Sequence, residues 1–304
     1  MHVEKINEKF GLQNLLCFEE TPTGLIRAHI TAPSAEATIY LQGAHLTHWQ
    51  PATAPPVLFM GSQNDFAVGG AIRGGVPVIF PWFSTYTGPG KAGQQHPFHG
   101  FARIMPWNVA STVQCGDRVV ITFELAANEQ SRALDYDGFR LVYTLRIGRT
   151  LQLELAVYNE GETPLVFEEA LHTYFAINDV TRATVDGLEG ATYLDSTKQR
   201  ISKQQLQSTL YFGHEVDSIY ETSSSACTIH DPGYTRRILV EKSGSQTTVI
   251  WNPGSKVGDA LPNLAIGEWR NFLCVETANA LGNTITLAPG ANHRMSTTIT
   301  PLPE

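Results

Sequence analysis

The sequence predicts an all-β protein of antiparallel strands, arranged as a sandwich or a barrel. Period-2 alternation of apolar and polar residues dominates the readable segments, which is typical of strands with one buried face. Strand-like runs follow one another without helical patterns between them, and Gly, Asn, Asp or Ser residues separate several of them. This order of elements favours antiparallel sheets over parallel sheets with crossover helices.

Three segments in the middle of the chain show the alternation most clearly. Residues 119–125, 141–147 and 151–157 each place Val, Ile, Leu, Phe or Tyr at every second position and Thr, Gln, Glu or Arg at several of the intervening ones. Only Gly148, Arg149 and Thr150 separate the second segment from the third. We therefore expect two of these strands to form a hairpin with a tight turn.

Further strand-like runs extend along the rest of the chain. They cover residues 37–49, 164–177, 236–242, 246–252, 271–279 and 295–302. Helical periodicity is almost absent, and only residues 128–134 suggest one or two helical turns. The stretch from 51 to 106 differs in kind, because it is rich in Gly, Pro and aromatic residues and shows little alternation. Long irregular segments of this sort often carry function.

Composition sets limits on the class of protein. The chain has 304 residues, a net charge of −8, 42% hydrophobic residues and only 16% charged residues. These values exclude an intrinsically disordered chain, and the acidic balance argues against nucleic acid as a partner. No Ser/Gly/Pro linker, charge block or internal repeat divides the sequence. We expect one domain spanning residues 1–304.

The cysteines and the amino terminus point to a compartment. Four cysteines lie far apart without a C-x-x-C pair, which is typical of reduced, mostly buried thiols rather than a disulfide framework or zinc site. The first residues lack the apolar run of a signal peptide, and no stretch is apolar enough to span a bilayer. We expect a cytoplasmic protein without a membrane partner, acting as a monomer.

Arginines in the irregular stretch are the first candidates for chemistry. Arg73 is followed by two glycines that let backbone approach a ligand, and Arg103 lies close to His99 in the sequence. A guanidinium fork suits a phosphate or a carboxylate. The alternatives are surface ion pairs for the arginines and a loop-ordering role for His99.

Two further candidates lie in strand-like runs. His172 shares a predicted face with Ala170 and Tyr174, and it is either a satisfied core histidine or a proton-transfer group. Glu276 follows an apolar run and is either solvent-facing or buried with a shifted pKa, as general bases tend to be.

Metal binding finds little support in the sequence despite its ten histidines. His45 and His48 are three apart on a predicted strand, so they point to opposite faces and cannot grip one ion together. His96 and His99 could close on a metal, but no third and fourth ligands follow at short spacing. We predict no metal and no cofactor.

Six short motifs, taken in order, carry a family resemblance. They are AIRGGVPVIFPWF, HGFAR, ALHTYF, EVDSIY, WNP and CVETAN, spread over residues 71–279, and QGAHLTHWQP at 42–51 adds to them. Each is weak alone, but together the chain resembles the aldose 1-epimerase superfamily, and within it the glucose-6-phosphate 1-epimerase (hexose-6-phosphate mutarotase) group. The resemblance implies a galactose mutarotase-like supersandwich, which is a large antiparallel β-sandwich with the sugar on an open concave face.

The resemblance also implies roles for particular residues. It assigns the general base to Glu276 and the general acid to His172. It places Arg73, His99, Arg103 and Asp217 against the substrate, with the arginines toward its phosphate. The implied reaction is cofactor-independent interconversion of the α and β anomers of hexose 6-phosphates through ring opening.

Three positions depart from the group's pattern. Phe98 replaces a frequent Gln, Ser218 a frequent Arg, and Gly254 a bulky aromatic residue. These departures bear on phosphate affinity and on the preferred hexose. They leave open mutarotation of unphosphorylated sugars and a sugar-binding module without turnover, and more remotely a glycosidase using Asp217 with Glu276.

Overall fold

The computed structural model describes residues 2–88, 94–221, 223 and 226–304. Its α-helices are α1 (Val3–Phe10), α2 (Glu129–Ala133) and α3 (Gly254–Gly258), with short 3₁₀ turns at Ala102–Ile104, Ser196–Lys198, Glu268–Asn271 and Leu281–Asn283. The strands of the first half are β1 (Leu16–Glu20), β2 (Ile26–Ala32), β3 (Ala35–Tyr40), β4 (His45–Pro51), β5 (Val78–Ile79), β6 (Asn108–Cys115), β7 (Arg118–Ala126), β8 (Phe139–Ile147) and β9 (Leu151–Asn159). Those of the second half are β10 (Leu165–Phe167), β11 (Glu169–Leu171), β12 (Tyr174–Ala176), β13 (Thr184–Asp186), β14 (Thr192–Asp195), β15 (Ile201–Gln204), β16 (Thr209–Tyr211), β17 (Val216–Tyr220), β18 (Cys227–Asp231), β19 (Arg236–Ser243), β20 (Thr247–Asn252), β21 (Phe272–Asn279), β22 (Ile285–Leu287) and β23 (Asn292–Pro303).

Two large antiparallel sheets form the sandwich. One has nine strands in the order β16-β13-β18-β19-β23-β9-β8-β7-β6, and the other has eight, in the order β15-β14-β17-β20-β21-β11-β5 with β12 also on β21. Buried apolar side chains of both sheets, such as Phe123 from the first and Leu273 from the second, belong to one continuous core. A four-stranded sheet β1-β2-β3-β4 and the pair β10-β22 complete the fold. The predicted all-β class is confirmed as a sandwich.

The clearest sequence patterns become central strands of the nine-stranded sheet. β8 and β9 pair from Ile147 with Leu151 outward, so the predicted hairpin closes on the three predicted turn residues. Val119, Ile121 and Phe123 of β7 are fully buried, as the alternation predicts. Each Å² of apolar surface buried in this way contributes about 25 cal/mol to the free energy of folding.

The turn at residues 242–246 leads from one sheet to the other rather than closing a hairpin. β19 lies in the nine-stranded sheet and β20 in the eight-stranded one. Gly244 has a φ of 68°, and a Cβ there would lie 1.9 Å from the Arg294 carbonyl oxygen. Only glycine fits this crossing.

The helices depart in part from the prediction. The predicted turns at 128–134 form α2, whose N-cap Asn128 accepts hydrogen bonds from the N–H groups of Gln130 and Ser131. The expectation of almost no other helix is wrong for α1, which buries Ile6 and Phe10. Asn7 exchanges two hydrogen bonds with the backbone of Phe18. Two buried side chains in eight residues are too few to reveal a helix by periodicity, and its packing against β1 stabilises it.

The thiol expectation holds only in part. All four cysteines are free, but Cys17 and Cys115 are exposed whereas Cys227 and Cys274 are buried. Cys17 and Cys115 occupy positions of β1 and β6 that point to solvent. Among the described residues, no three His, Cys, Asp or Glu side chains are placed to hold a metal ion. No helix in the same residues is long and apolar enough to cross a membrane.

The irregular stretch from 51 to 106 folds against the edge of the eight-stranded sheet. Its described part contains a single short strand, β5. Side-chain hydrogen bonds take the place of strand pairing here. The side-chain amide of Asn64 accepts from the backbone N–H of Arg73 and donates to the Arg73 carbonyl, both at 2.8 Å. Backbone bridges also join Met60 to Gly74 and Phe80 to Gly100. These contacts fix the backbone on either side of Arg73 and His99.

Candidate active site

The predicted site residues line one cavity of about 480 Å³ on the exposed face of the eight-stranded sheet. Its lining includes Ile72, Arg73, Phe83, Ser84, Phe98, His99, Arg103, His172, Tyr174, Ser196, Arg200, Asp217, Ile219, Val249, Trp251, Leu261, Asn263 and Glu276. All six candidates are therefore brought together, from segments as distant in sequence as residues 73 and 276.

Strand register explains how His172 meets Glu276. Leu171 pairs with Thr277 and Tyr174 with Cys274, which places His172 directly opposite Glu276. The ladder opens there, since the His172 N–H donates to the Pro77 carbonyl at 3.0 Å instead of to β21. Opposite residues of an antiparallel pair share a face. The His172 Nε2 lies 3.4 Å from Glu276 Oε1.

Register also arranges the floor of the cavity in two rows across the strands. Glu276 is opposite Val249 of β20, which is followed by Ile219 of β17. In the second row, Cys274 is opposite Trp251, and Trp251 is opposite Asp217. The acid–base candidates thus occupy the centre of the sheet, and Asp217 lies two strands away.

Burial controls the charge of the central pair. It lowers the pKa of His172 to about 3, with the positive charges of Arg103 and Arg73 acting in the same direction. Burial also raises the pKa of Glu276 well above its ordinary value, and the charge of Asp217 adds to this. Both groups are thereby shifted toward their neutral forms. Among the residues that the structure describes, neither the Nδ1 of His172 nor the Oε2 of Glu276 has a hydrogen-bond partner, although both atoms are buried.

Two arginines flank the pair on the side of the irregular stretch. Arg73 donates to the Tyr174 hydroxyl at 3.3 Å and Arg103 to the Phe98 carbonyl at 2.7 Å, and both Nε atoms are buried without a partner. Within the described residues, no carboxylate lies at ion-pair distance from either guanidinium. Burial lowers the pKa of Arg103 to about 10, which leaves it cationic at neutral pH. The alternative of surface ion pairs therefore does not hold.

His99 orders a loop and also lines the cavity. The ring Nδ1 of His99 accepts a hydrogen bond from the backbone N–H of Ser84 at 2.9 Å. The backbone N–H of His99 donates to the Ser84 carbonyl at 2.8 Å. The Nε2 consequently carries the proton of the neutral ring. The ring lies 5.4 Å from that of His172, and burial lowers its pKa well below the ordinary value. His99 orders the loop and presents an N–H to the cavity.

Asp217 occupies the opposite side of the cavity. Burial raises its pKa to about 6, and Glu215 adds to this, whereas the Ser196 hydroxyl and the charge of Arg200 oppose it. Ser196 and Arg200 were not predicted as site residues; neither lies in one of the motifs, so only tertiary structure reveals them. Asn263 was missed for the same reason.

Aromatic residues form part of the wall. Tyr174 stacks on His172 with ring centroids 4.8 Å apart and an interplanar angle of 8°. Trp251 meets both rings edge-on. Phe83 also lines the cavity, whereas Trp82 beside it does not and instead packs in the main core.

The three departures from the family pattern fall in different places. Ser218 is flanked by the cavity-lining Asp217 and Ile219, so residue 218 points to the other face of β17. Gly254 has a φ of 61°, and a Cβ there would lie 2.8 Å from the Glu215 nitrogen. Phe98 alone lines the cavity.

Comparison with known proteins identifies the family. The family described as Aldose 1-epimerase matches residues 27–300. The chain therefore belongs to the aldose 1-epimerase family, and the predicted resemblance is confirmed. It is an isomerase of the mutarotase type, as the sequence predicts.

Two relatives and one solved structure show how similar this chain is to individual proteins. The chain is 35% identical over 249 residues to an Escherichia coli K12 protein named "Putative glucose-6-phosphate 1-epimerase", covering 82% of this chain and 81% of that one. A protein of the same name from Cenchrus ciliaris is 30% identical over 285 residues, covering 90% and 84%. The crystal structure of "a putative mutarotase (YeaD)" from Salmonella typhimurium superimposes with a TM-score of 0.88 at 27% identity, covering 99% of each chain.

Proposed function

We propose that this protein interconverts the α and β anomers of hexose 6-phosphates. The observation that carries the proposal is the pair of half-buried arginines, Arg73 and Arg103, whose Nε atoms are buried without a partner and which have no carboxylate at ion-pair distance in the described residues. A cation that loses part of its hydration on folding is normally paired with an opposite charge. A phosphate that carries close to two negative charges at pH 7 supplies the missing partner.

The order of atoms in a hexose 6-phosphate fits the order of groups in the cavity. Ring oxygen O5 lies between C1, which carries the O1 hydroxyl, and C5, which carries C6 and the phosphate. With O1 at Glu276 and O5 at His172, the phosphate extends beyond His172. Arg73 lies near this end of the cavity, since it donates to the hydroxyl of Tyr174, whose ring stacks on His172, and the charges of both arginines act on His172.

The reaction needs one proton acceptor and one proton donor. The Glu276 carboxylate removes the O1 proton while the His172 imidazolium protonates O5, and the C1–O5 bond breaks to give an open-chain aldehyde. Rotation about C1–C2 presents the other face of the carbonyl to O5. Reclosure returns the O5 proton to His172 and the Glu276 proton to O1. Each positioned acid or base contributes about 10²–10⁴ to the rate.

The phosphate also influences the catalytic pair. At 3.4 Å, His172 and Glu276 titrate as a coupled pair that holds one proton for the reaction. The charges of Arg103 and Arg73 oppose a positive His172. A phosphate dianion bound between the arginines offsets these charges, so the proton moves toward His172 and the pair assumes its active ionisation state.

Substitution of the arginines tests the phosphate assignment. We expect Arg73→Gln and Arg103→Gln each to lower kcat/KM for glucose 6-phosphate about 10- to 100-fold, since a hydrogen bond to a charged group contributes about 1.5–3 kcal/mol. Rates are measured by magnetisation-exchange NMR, with Arg149→Gln on the exposed β8–β9 turn as the control.

Two results would contradict the assignment. Unchanged rates on glucose 6-phosphate in both variants would favour mutarotation of unphosphorylated sugars. Binding of the phosphosugar by the wild-type protein without any rate enhancement would indicate a sugar-binding module instead.

A further inference from the structure

Arg200 lines the same cavity as the catalytic pair. The turn that carries it follows Asp195, which pairs with Ser218 beside Asp217. Arg73 instead donates to Tyr174, at the other end of the row of opposite residues that runs from Tyr174 to Asp217. Arg200 follows the 3₁₀ turn Ser196–Lys198, and its side chain lies at the exposed rim. Its positive charge opposes the rise in the pKa of Asp217, which agrees with that position. The two other cavity arginines act on His172 instead.

The guanidinium of Arg200 has unused hydrogen-bonding capacity. Across the described part of the chain, no side-chain hydrogen bond or ion pair engages it, although exposed arginines elsewhere, such as Arg132 and Arg294, pair with Asp137 and Glu154. A guanidinium presents five N–H donors in a fixed plane. Those of Arg200 are free to meet a ligand that enters the cavity.

The backbone holds Arg200 at this position against a conformational preference. Gln199 and Arg200 have φ values of 57° and 60°, in the left-handed region that costs a non-glycine residue about 1–2 kcal/mol. The Arg200 N–H donates to the Asp195 carbonyl at 2.9 Å. The Asp195 carboxylate in turn accepts from the Thr197 N–H at 3.1 Å and from Lys203 Nζ at 2.5 Å. Hydrogen bonds within the turn therefore hold the backbone of Arg200 in this conformation.

The substrate orientation proposed above determines which group reaches Arg200. Ring atom C1 has two ring neighbours, O5 on the side of the arginine pair and C2 on the other. With O1 at Glu276 and O5 at His172, C2 and its hydroxyl face Asp217 and Arg200. A hydroxyl can donate its proton to a carboxylate and accept from a guanidinium at the same time.

We propose that Arg200, acting with Asp217, binds the C2 hydroxyl of the hexose 6-phosphate and so determines which C2 epimer is turned over. The inference rests on the proposed function. It also fits a requirement of the chemistry, because both anomers must bind and only C1 differs between them. Holding the phosphate at one end and O2 at the other keeps the sugar fixed while the aldehyde rotates about C1–C2.

The test compares three phosphosugars that differ at C2: glucose 6-phosphate, mannose 6-phosphate and 2-deoxyglucose 6-phosphate. Anomer exchange is measured by NMR for the wild-type protein, Arg200→Ala, Arg200→Lys and a control, Gln199→Ala, which changes an exposed neighbour in the same turn. We expect Arg200→Ala to lower kcat/KM for glucose 6-phosphate about tenfold, mainly through KM. The same variant should change the value for 2-deoxyglucose 6-phosphate less than twofold, so that discrimination at C2 is lost.

The outcomes separate this inference from the proposed function. Arg200→Lys should keep part of the preference for glucose 6-phosphate over its 2-deoxy analogue. The control Gln199→Ala should keep all of that preference. An equal loss on all three sugars would contradict the C2 assignment and place Arg200 at the phosphate, and no loss on any sugar would remove it from the site. If the wild-type protein accelerates none of the three, the proposed function itself is wrong, and this inference with it.

Discussion

Within the described part of the chain, Glu276 and His172 each have one buried polar atom without a hydrogen-bond partner. Leaving a buried polar atom unsatisfied costs about 1–3 kcal/mol. We therefore interpret these two atoms as hydrogen-bonding groups for the hydroxyl and ring oxygen of a substrate, and not as core groups. The satisfied-core alternative for His172 and the solvent-facing alternative for Glu276 both disagree with this arrangement.

Replacement of the carboxylate tests the role of Glu276. The change Glu276→Gln keeps the shape of the side chain but removes the proton acceptor, so we expect anomer exchange to slow by about 10²–10⁴. Circular dichroism and the unfolding midpoint should show that the fold persists. Full activity in this variant would remove Glu276 from the role of base.

A free anion tests the influence of the phosphate on His172. We expect phosphite dianion to accelerate mutarotation of unphosphorylated glucose, because it occupies the site between Arg73 and Arg103 and offsets the charges that oppose protonation of His172. Chloride at matched ionic strength controls for screening, and Arg103→Gln should abolish the effect. Turnover of glucose 6-phosphate without any activation by phosphite would contradict this coupling.

At the scale of elements, short irregular segments position most of the site. The turn that carries His99 and Arg103 contains Gly100, whose φ is 71° and whose added Cβ would lie 2.1 Å from the Phe80 carbonyl oxygen. The backbone of this turn therefore packs directly on the backbone before Pro81. Only glycine permits that approach.

A pair of glycine substitutions tests this close approach. Gly116 has a similar φ of 64°, but an added Cβ there meets nothing within 4 Å. We expect Gly116→Ala to lower the free energy of unfolding by about 1 kcal/mol, which is the cost of the left-handed conformation alone. Gly100→Ala adds a clash with backbone and should lower it by about 3 kcal/mol or more. Equal losses in urea denaturation would show that the turn is not constrained as described.

The sequence predicts the long strands of the sandwich well and the interrupted ones poorly. β7, β8 and β9 are recognisable because each has one buried and one partly exposed face over nine residues. The predicted run at 164–177 instead forms β10, β11 and β12, with a break at His172 and Thr173. That break is set by the Pro77 carbonyl from a distant segment, which local periodicity cannot show.

The candidate site was likewise predictable only in part from the sequence. Motif resemblance located His172, Glu276, Arg73 and Asp217, because each lies in a short ordered pattern. Arg200 lies outside every motif, and its position depends on a left-handed turn braced by Asp195. The register that sets His172 opposite Glu276 likewise became visible only with the sheet.

At the scale of the whole molecule, buried neutral histidines link the fold to pH. Burial lowers the pKa of His45 to about 4, and its Nε2 lies 2.7 Å from the Gly74 carbonyl oxygen. Its value in the unfolded chain is about 6.5, so between pH 6.5 and 4 the unfolded state binds more protons. Stability is therefore lost as pH falls through this window, by up to about 3 kcal/mol for His45 alone.

Denaturation at several pH values tests this linkage. We expect the change in the free energy of unfolding from pH 7 to pH 4 to be more destabilising in the wild-type protein than in His45→Gln, whose amide can still donate to Gly74. Comparing the two proteins removes the opposite contributions of Glu276 and Asp217, whose pKa values burial raises. Burial shifts His172 and His99 in the same direction, so part of the slope should remain. An identical slope in the two proteins would contradict a neutral buried His45.

The overall charge of −8 and a phosphate site are compatible at this scale, since Arg73 and Arg103 concentrate positive charge in one cavity while the remaining surface stays acidic. The most direct test of the account is magnetisation-exchange NMR of glucose 6-phosphate and of glucose with the wild-type protein. We expect rapid α–β exchange of glucose 6-phosphate and a much smaller acceleration for glucose. Exchange of glucose 6-phosphate at its spontaneous rate would contradict it.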